Sequence, residues 1–344
     1  MQKTKRIFII ADFKDESAKS IRMQPRMWVK GLLRLGHDVQ QFSYRNMMIQ
    51  CAPFPSKRIA RHFSKRKTDR LLAKQIEQYH PDIIIVHCMK YLDAETVMRI
   101  REVSPKAVIV GRDEDPFPDK NPDRIAIAKQ ADIVITTSDG RFLQVYKDAG
   151  VKCCAFIPNM CDPDIQYKYE VGEKWKADII FTGKPEHTKL DRNNERYDLV
   201  EKLRQKEGAR IYGAFGIPRV EGINYFYAIS GAKIGLSTNI TNDVRLYHSD
   251  RFINYISCGT FALAKKVPDS DLLFEDGVHV KYFDTAEDFF ELADYYLNHE
   301  DERQKIAHAG MKRAHEKFNC QKIAQKLIDL IETGTYNAPW KENP

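Results

Sequence analysis

Halfway along the chain, a new series of strands and helices begins with Asp178-Ile179-Ile180-Phe181-Thr182-Gly183-Lys184. This is a short apolar run that ends at a glycine, which is typical of a buried strand. An earlier series begins at Ile7–Ala11, and polar, proline-bearing sequence separates the two series between residues 158 and 177. Strands that alternate with helices predict βαβ units and parallel sheets. The restart therefore predicts two Rossmann-like domains and not one continuous sheet.

Both series contain further strand-sized and helix-sized patterns, and from Ala286 onward the pattern is nearly all helical. The predicted α/β organisation is an N-terminal domain over residues 1–160, a C-terminal domain over residues 161–334 and a short tail over residues 335–344. The last helix, Gln321–Glu332, is expected to pack back toward the first domain. The predicted strands are Ile7–Ala11, Val39–Phe42, Asp82–His87, Ala107–Gly111, Asp132–Thr136, Asp178–Thr182, Ala209–Tyr212, Lys233–Leu236 and Thr260–Leu263.

Composition excludes several classes of protein. A length of 344 residues fits two domains, and 43% hydrophobic residues supply real cores, which argues against disorder. No apolar run approaches the roughly 20 residues of a membrane span, and the N-terminus is not expected to be a signal peptide. The seven cysteines are scattered without a C-x-x-C pair, so reduced thiols and a cytoplasmic location are predicted, without a zinc site. The net charge of +7 fits a protein that handles anions.

Candidate anion-binding residues lie at predicted strand ends and helix starts of the second half. The loop after the first strand, residues 12–17, contains no glycine, so dinucleotide and Walker-type phosphate loops are absent. Gly183 and Lys184 follow a predicted strand, while Arg196 and Arg251 stand at the front of predicted helices, where phosphates bind in doubly wound sheets. Together these cations could neutralise a diphosphate. The alternative is that Lys184, Arg192 and Arg196 are ordinary solvated charges.

One segment of the second half carries a resemblance to a known family. The run Ser249-Asp250-Arg251-Phe252-Ile253-Asn254-Tyr255-Ile256-Ser257-Cys258-Gly259-Thr260-Phe261-Ala262-Leu263 resembles the R-x-F-E-x-x-A-C-G segment of GT-B glycosyltransferases. The greatest similarity is to the group-1 type related to spore-coat CgeB proteins. Leu273–Gly277 and Ile306–Gly310 continue the match, and Gly111–Pro116 and Ala131–Thr136 have counterparts in the first half.

The resemblance implies a GT-B fold, in which the C-terminal domain binds a nucleotide-diphosphate sugar and the N-terminal domain binds the acceptor. It also implies transfer without a metal ion and without a cofactor other than the donor. The family places a glutamate at the position of Asn254 and tends to place another at that of Leu246, and both carboxylates are absent here. Asn254 can still hydrogen-bond a hydroxyl. The candidate donor-binding residues are Gly183, Lys184, Arg196, His248, Ser249, Asp250, Arg251 and Asn254.

Candidate catalytic residues lie at strand ends of the first half. Asp113-Glu114-Asp115 spells an acidic motif after a strand, and His87 ends the apolar run of residues 83–86. Asp113, with Asp115 or His87, is predicted to orient or deprotonate the acceptor hydroxyl. The acidic motif has three possible interpretations: a metal site, an acidic loop that lines the acceptor site, or a plain solvated loop. For His87, and likewise for His248, the alternative is a histidine that makes its hydrogen bonds within the protein and has no role in catalysis or binding.

A basic segment over residues 57–70 offers a further binding surface. Ile59 and Phe63, with the later leucines, give it an apolar side at helical spacing, as in basic amphipathic helices that bind anionic membranes. Such binding would place the protein at the inner face of the membrane. A plain solvated helix face is the alternative, and a nucleic-acid partner is less expected but stays open. The cations proposed for this contact are Lys57, Arg58, Arg61, Lys65 and Arg66.

Three functions therefore compete. The first is a glycosyltransferase that moves a sugar from a nucleotide donor to a saccharide, lipid or other acceptor. The second is a catalytically silent GT-B module that binds a sugar nucleotide or a partner, which the missing glutamates favour. The third is a glycosyltransferase that acts on modified DNA, which the basic helix would serve.

Overall fold

The protein is described by a computed structural model that covers residues 3–13, 23–53, 57–87, 89, 92–114, 116–184, 195–338 and 340, with the backbone alone for 57–62. The chain divides into two compact units. The first comprises Met1–Ile157 and Cys320–Tyr336, and the second comprises Pro158–Asn319 and Asn337–Pro344. Each unit is built on its own parallel sheet.

The first unit is a six-stranded parallel sheet covered by helices, with strand order β2-β1-β3-β4-β5-β6. Its inner strands are buried on both faces, which is why Ile83–Val86 reads as an unbroken apolar run. The elements before the linker are β1 (Arg6–Ala11), α1 (Met23–Arg34), β2 (Asp38–Ser43), α2 (Tyr44–Cys51), α3 (Lys57–Tyr79), β3 (Ile83–His87), α4 (Ala94–Val103), β4 (Val108–Asp113), α5 (Pro122–Ala128), β5 (Ile133–Thr136), α6 (Arg141–Asp148) and β6 (Cys153–Phe156).

The second unit is a five-stranded parallel sheet with strand order β11-β10-β9-β7-β8. Phe181, Leu236 and Phe261 from its central strands are buried in one apolar core. The elements are β7 (Ala177–Thr182), α7 (Glu195–Arg204), β8 (Ala209–Tyr212), α8 (Ile223–Gly231), β9 (Ala232–Ser237), α9 (Asp250–Ser257), β10 (Phe261–Lys265), β11 (Lys281–Phe283), α10 (Ala286–Asn298) and α11 (Glu300–Lys317).

The two sheets share a strand order that creates a crevice in each. In both, the first strand lies between the second and the third, so the chain winds outward in opposite directions from one point. In the second unit this point is between β7 and β9, which pair in parallel with Ile179 opposite Ile234. Ligands of open α/β sheets bind at the carboxyl ends of the strands beside such a point. For the second unit these ends are Thr182 and Ser237.

The last helix, α12 (Cys320–Thr333), belongs to the first unit. It packs on α1, as expected for the terminal helix, and the contact is close because Gly31 has no side chain. A Cβ at Gly31 would lie 2.3 Å from the carbonyl oxygen of Cys320. The predicted fold class, two Rossmann-like units with a helical C-terminal part, is confirmed.

Candidate functional site

Arg251 joins the two strands that border the crevice of the second unit. It lies in the first turn of α9, and its Nε donates a hydrogen bond to the carbonyl oxygen of Thr182 at the end of β7. Its Nη1 donates to the carbonyl oxygen of Thr238, just after β9, at 2.8 Å. The guanidinium lies over the ring of Phe181, 4.4 Å from the ring centroid. Arg251 therefore holds a fixed positive charge where an anionic ligand of this sheet would bind.

Gly183 makes room for that guanidinium. Its φ of +129° lies outside the range that other residues readily adopt, and a Cβ would approach Nη2 of Arg251 to 2.6 Å. The Gly183 N–H donates to the carbonyl oxygen of Tyr212 on β8, which fixes the turn. The sequence singled out Gly183 as a point of close backbone approach. The structure shows that the approaching group is the Arg251 side chain of the same chain.

Two tyrosines complete the end of β7. The Tyr255 hydroxyl accepts a hydrogen bond from the Thr182 N–H at 2.9 Å, and the Tyr225 hydroxyl lies 3.3 Å from the Thr182 hydroxyl. Burial raises the pKa of both phenols, so both stay protonated. Gly235 on β9 makes room for the Tyr255 ring, because a Cβ there would lie 2.5 Å from it. Sequence reasoning assigned no role to either tyrosine, although Tyr255 lies within the segment from Ser249 to Leu263.

Asn254 is held by neighbours within the second unit. Its Oδ1 accepts a hydrogen bond from Nε2 of Gln166 at 2.6 Å, and its Nδ2 donates to the Tyr225 hydroxyl at 3.4 Å. The amide therefore connects the linker segment to the tyrosine pair at Thr182. Leu246, the other position where the resembling family has a glutamate, is buried with a positive φ of 57°.

His248 and Ser249 lie at the start of α9. Burial lowers the pKa of His248 to about 3, so the ring is neutral near pH 7 and supplies no positive charge to an anion. The ring stacks on Phe252 at a centroid distance of 4.0 Å, and its Nε2 has no hydrogen-bond partner among the described residues. Ser249 is the N-cap of α9, and its N–H donates to Oδ1 of Asn239 at 2.9 Å, which anchors the helix start near the end of β9.

The remaining predicted donor-binding residues differ in exposure. Lys184 is exposed directly after Gly183. Asp250 is exposed as the first residue of α9. Arg196 is buried in the first turn of α7, the helix that follows β7 in the chain. The structure thus places the Arg251 guanidinium against Gly183, and the exposed Lys184 is the next residue in the chain.

Asp113 ends β4 in the first unit and is buried in a network of its own. Its Oδ2 accepts hydrogen bonds from the Tyr146 hydroxyl at 2.5 Å and from Nη1 of Arg124 at 3.3 Å. Burial, followed by the charge of Asp113, raises the pKa of Tyr146, so this phenol remains a donor. These contacts tie β4 to α5 and α6.

Glu114, the next residue of this motif, is partly open to solvent, with a side chain 19% exposed. Its Oε1 lies 3.1 Å from Nε of Arg112 and 3.2 Å from Nε2 of His87, and both of these side chains are buried. Burial alone would raise the pKa of Glu114, but the charges of His87 and Arg112 outweigh it and lower the pKa. The Arg112 guanidinium lies over the Trp28 ring at 5.1 Å. His87, a predicted catalytic residue, therefore contacts Glu114, which the sequence did not single out as a catalytic residue.

The third acidic residue, Asp115, lies outside the described residues. Among the residues that the structure covers, no three His, Cys, Asp or Glu side chains converge in a way that could hold a metal ion. Asp113 and Glu114 are each engaged by an arginine of the same unit.

The basic segment forms the first part of α3, but one of the cations proposed for the membrane contact is paired within the first unit. Lys65 is held within the unit, 2.5 Å from Asp69 and 3.0 Å from Asp93. Burial alone would lower the pKa of Lys65, and its hydrogen bonds to these carboxylates raise it instead. Phe63 is 61% exposed, and Arg66 is exposed as well. The assignment of Lys65 to a membrane contact was wrong, because two carboxylates already neutralise it. Three further predicted cations have side chains outside the described residues: Lys57, Arg58 and Arg61.

Comparison with protein families gives a match that lies mainly in the second unit. Residues 192–329 match the profile of a family described as glycosyl transferase-like. This span contains Arg251 and Asn254, and it ends within α12. No match was found among curated proteins.

Solved structures resemble nearly the whole chain. HepE from Anabaena in complex with UDP has a TM-score of 0.60 and 11% identity, and covers 96% of this chain and 100% of its own. Sucrose-phosphate synthase from Thermosynechococcus elongatus has a TM-score of 0.59 and 14% identity, with coverage of 95% and 98%. A glycosyltransferase from Rickettsia africae has a TM-score of 0.57 and 13% identity, with coverage of 99% and 100%. The chain has the GT-B fold of glycosyltransferases and carries a glycosyl transferase-like segment over residues 192–329.

Proposed function

We propose that the protein is a glycosyltransferase that moves a sugar from a nucleoside-diphosphate sugar to a saccharide or lipid-linked acceptor. The observation that carries this proposal is Arg251, fixed between the carboxyl ends of β7 and β9 inside the glycosyl transferase-like segment. The leaving group of such a transfer is a diphosphate, whose developing charge a preorganised guanidinium stabilises. Since HepE was solved with UDP and with UDP-glucose, a UDP-sugar is the donor to examine first.

We further propose that transfer requires no metal ion and no cofactor besides the donor. The support is that Arg251 and the exposed Lys184 supply two positive charges beside Gly183 at the end of β7. A diphosphate held in this way has its charge neutralised by the protein itself. Turnover is then expected to be insensitive to a chelator.

On the acceptor side, the first unit offers the carboxylates at the end of β4. Glu114 is partly exposed, and Oε1 is the atom that Arg112 and His87 contact, so we propose that Oε2 accepts the hydrogen of an acceptor hydroxyl. Asp113 and Asp115 remain candidates for the base, with His87 acting through Glu114. We assign Asp113 the additional task of holding Arg124 and Tyr146.

Two matched substitutions separate these roles. We expect Glu114→Gln to lower turnover with acceptor by about 10²–10⁴ while donor affinity and thermal midpoint stay nearly constant. Because its pKa is lowered, Glu114 stays ionised at and above the usual carboxyl range, so its protonation should not reduce activity near neutral pH. We expect Asp113→Asn to lower the thermal midpoint, since it weakens the hydrogen bonds to Tyr146 and Arg124. Steady-state kinetics with melting curves measure both. If the Asp113→Asn enzyme is stable but has no turnover while the Glu114→Gln enzyme is active, Asp113 is the base and Glu114 is not.

A catalytically silent sugar-nucleotide-binding module is the second candidate, and one observation favours it. Asn254 stands where the resembling family has a glutamate, and both ends of its amide are engaged by Gln166 and Tyr225. A group held in this way has less capacity to bind a donor hydroxyl. Hydrolysis of the donor without acceptor distinguishes an enzyme from such a module.

The test of the proposed function is a thermal-shift screen with UDP-, GDP-, CMP- and TDP-sugars, followed by a hydrolysis assay. A donor that binds only the folded state at about 100 times its Kd stabilises the protein by about 2.7 kcal/mol. We expect one donor class to raise the thermal midpoint and to be hydrolysed slowly, with or without chelator. A shift without hydrolysis favours the silent module, and no shift with any donor contradicts both.

We propose that the protein is a member of the CgeB-like group, on the basis of the segment from Ser249 to Leu263. We also propose a cytoplasmic location, because the six described cysteines are free thiols. As a separate finding, none of the described helices has both the length and the apolar character needed to cross a membrane.

A further inference from the structure

Helix α3 turns one aromatic and four cationic side chains outward along a single stripe. They follow one another at intervals of three, one, three and four residues, which places them on the same helix face. We call this stripe the basic face of α3, and all of its members are exposed: Phe63, Arg66, Lys67, Arg70 and Lys74.

The opposite face of α3 fixes this orientation. Leu72 and Ile76 are fully buried in the core of the first unit. The Ser64 hydroxyl donates a hydrogen bond to the carbonyl oxygen of Met48 at 2.6 Å, and Asp69 accepts one from Tyr44 at 2.6 Å. Rotating the helix would bury cations and expose the apolar core, so the basic face is held toward solvent.

The charge of this face is not neutralised by the described residues. None of the four cations forms an ion pair with a described side chain. Between Phe63 and Tyr79, Asp69 is buried and already paired with Lys65, whereas Glu77 is exposed one turn beyond Lys74. From Phe63 to Lys74 the helix rises about 16 Å. Four positive charges over this length form a linear surface that complements an extended anion.

We propose that the basic face of α3 docks the protein on the anionic lipid headgroups of a membrane. The side chains point outward from a convex helix, so a flat anionic surface meets all four cations at once, whereas a small anion meets only one or two. Phe63 is 61% exposed at one end of the stripe, and an aromatic ring there gains from insertion below the headgroups. This docking goes beyond sugar transfer and does not depend on it.

The experiment measures binding of the full-length protein to vesicles. Sedimentation compares vesicles of phosphatidylcholine alone with vesicles of phosphatidylcholine and phosphatidylglycerol. One variant removes three charges from the face (Arg66→Gln, Lys67→Gln, Arg70→Gln). The control removes three exposed charges from α11 of the second unit (Lys305→Gln, Lys312→Gln, Lys317→Gln). Since each cation contributes about fivefold to the affinity, we expect about a hundredfold loss in the first variant and little change in the control.

A third variant, Phe63→Ala, tests the membrane against other polyanions. We expect it to weaken vesicle binding about tenfold without changing the dependence on salt. Equal loss in the face variant and the control, or binding to neutral vesicles as strong as to anionic ones, overturns the proposal. Duplex DNA that binds more tightly than anionic vesicles, with no effect of Phe63→Ala, overturns it in favour of nucleic acid. Melting curves confirm that each variant is folded.

Discussion

Replacing Arg251 with alanine should weaken the binding of a nucleoside diphosphate between tenfold and a hundredfold. A charge-assisted hydrogen bond to phosphate contributes about 1.5–3 kcal/mol, and Arg251 is already held in place by Thr182, Thr238 and Phe181. Because the guanidinium is fixed before the ligand arrives, little side-chain entropy is lost on binding. Calorimetry with UDP measures the change directly.

Arg313 provides a matched control in the same unit. It also donates to a backbone carbonyl, that of Leu273 at 2.6 Å, and lies over an aromatic ring, that of Phe274 at 6.0 Å. We expect Arg313→Ala to lower stability without changing affinity for UDP. Gly183→Ala tests the same site without removing the guanidinium. The new Cβ would collide with Nη2 of Arg251 and displace it. Undiminished affinity in both Arg251→Ala and Gly183→Ala, in a protein that binds UDP, would show that the diphosphate binds elsewhere.

Gly31→Ala should destabilise the first unit, although helix propensity alone predicts the opposite. Alanine in a helix interior is favoured over glycine by about 1 kcal/mol. At Gly31, however, the added Cβ would lie 2.3 Å from the backbone oxygen of Cys320 and 3.1 Å from Cβ of Ala324. Backbone atoms cannot move aside alone, so α12 has to shift from α1, and such overpacking costs about 1–3 kcal/mol.

The measurement is the thermal midpoint, which should fall by roughly 2–10 °C for a unit of this size. Gly172→Ala is the control, because no atom lies within 4 Å of its added Cβ and its φ is −71°. A midpoint that rises in Gly31→Ala would show that α12 is not closely packed on α1.

Much of the fold could be predicted because its signals are local. Nine predicted strands correspond to observed ones. Strands β6 and β11 were not predicted. They are only four and three residues long, so their apolar runs are too short to distinguish from a loop.

The candidate site could be predicted only in part. Strand ends and helix starts pointed to Gly183, Lys184 and Arg251, since phosphates bind at such positions. The sequence could not show that His248 is neutral through burial, or that Asp69 and Asp93 neutralise Lys65. Burial and ion pairing depend on groups distant in the chain, and periodicity carries no information about them. Tyr225 and Glu114 were missed for the same reason.

The sequence by itself determined that there are two parallel-sheet units and where the second series of strands begins, because apolar periodicity records which faces of each strand and helix are buried. Only the tertiary structure decided the order of the strands, the close contact of α12 with α1 at Gly31 and the outward direction of Phe63 on α3. It also decided that Arg251 joins β7 to β9. The physical reason is that local propensity fixes an element, whereas its partners are chosen by complementary packing and charge between residues far apart in the chain.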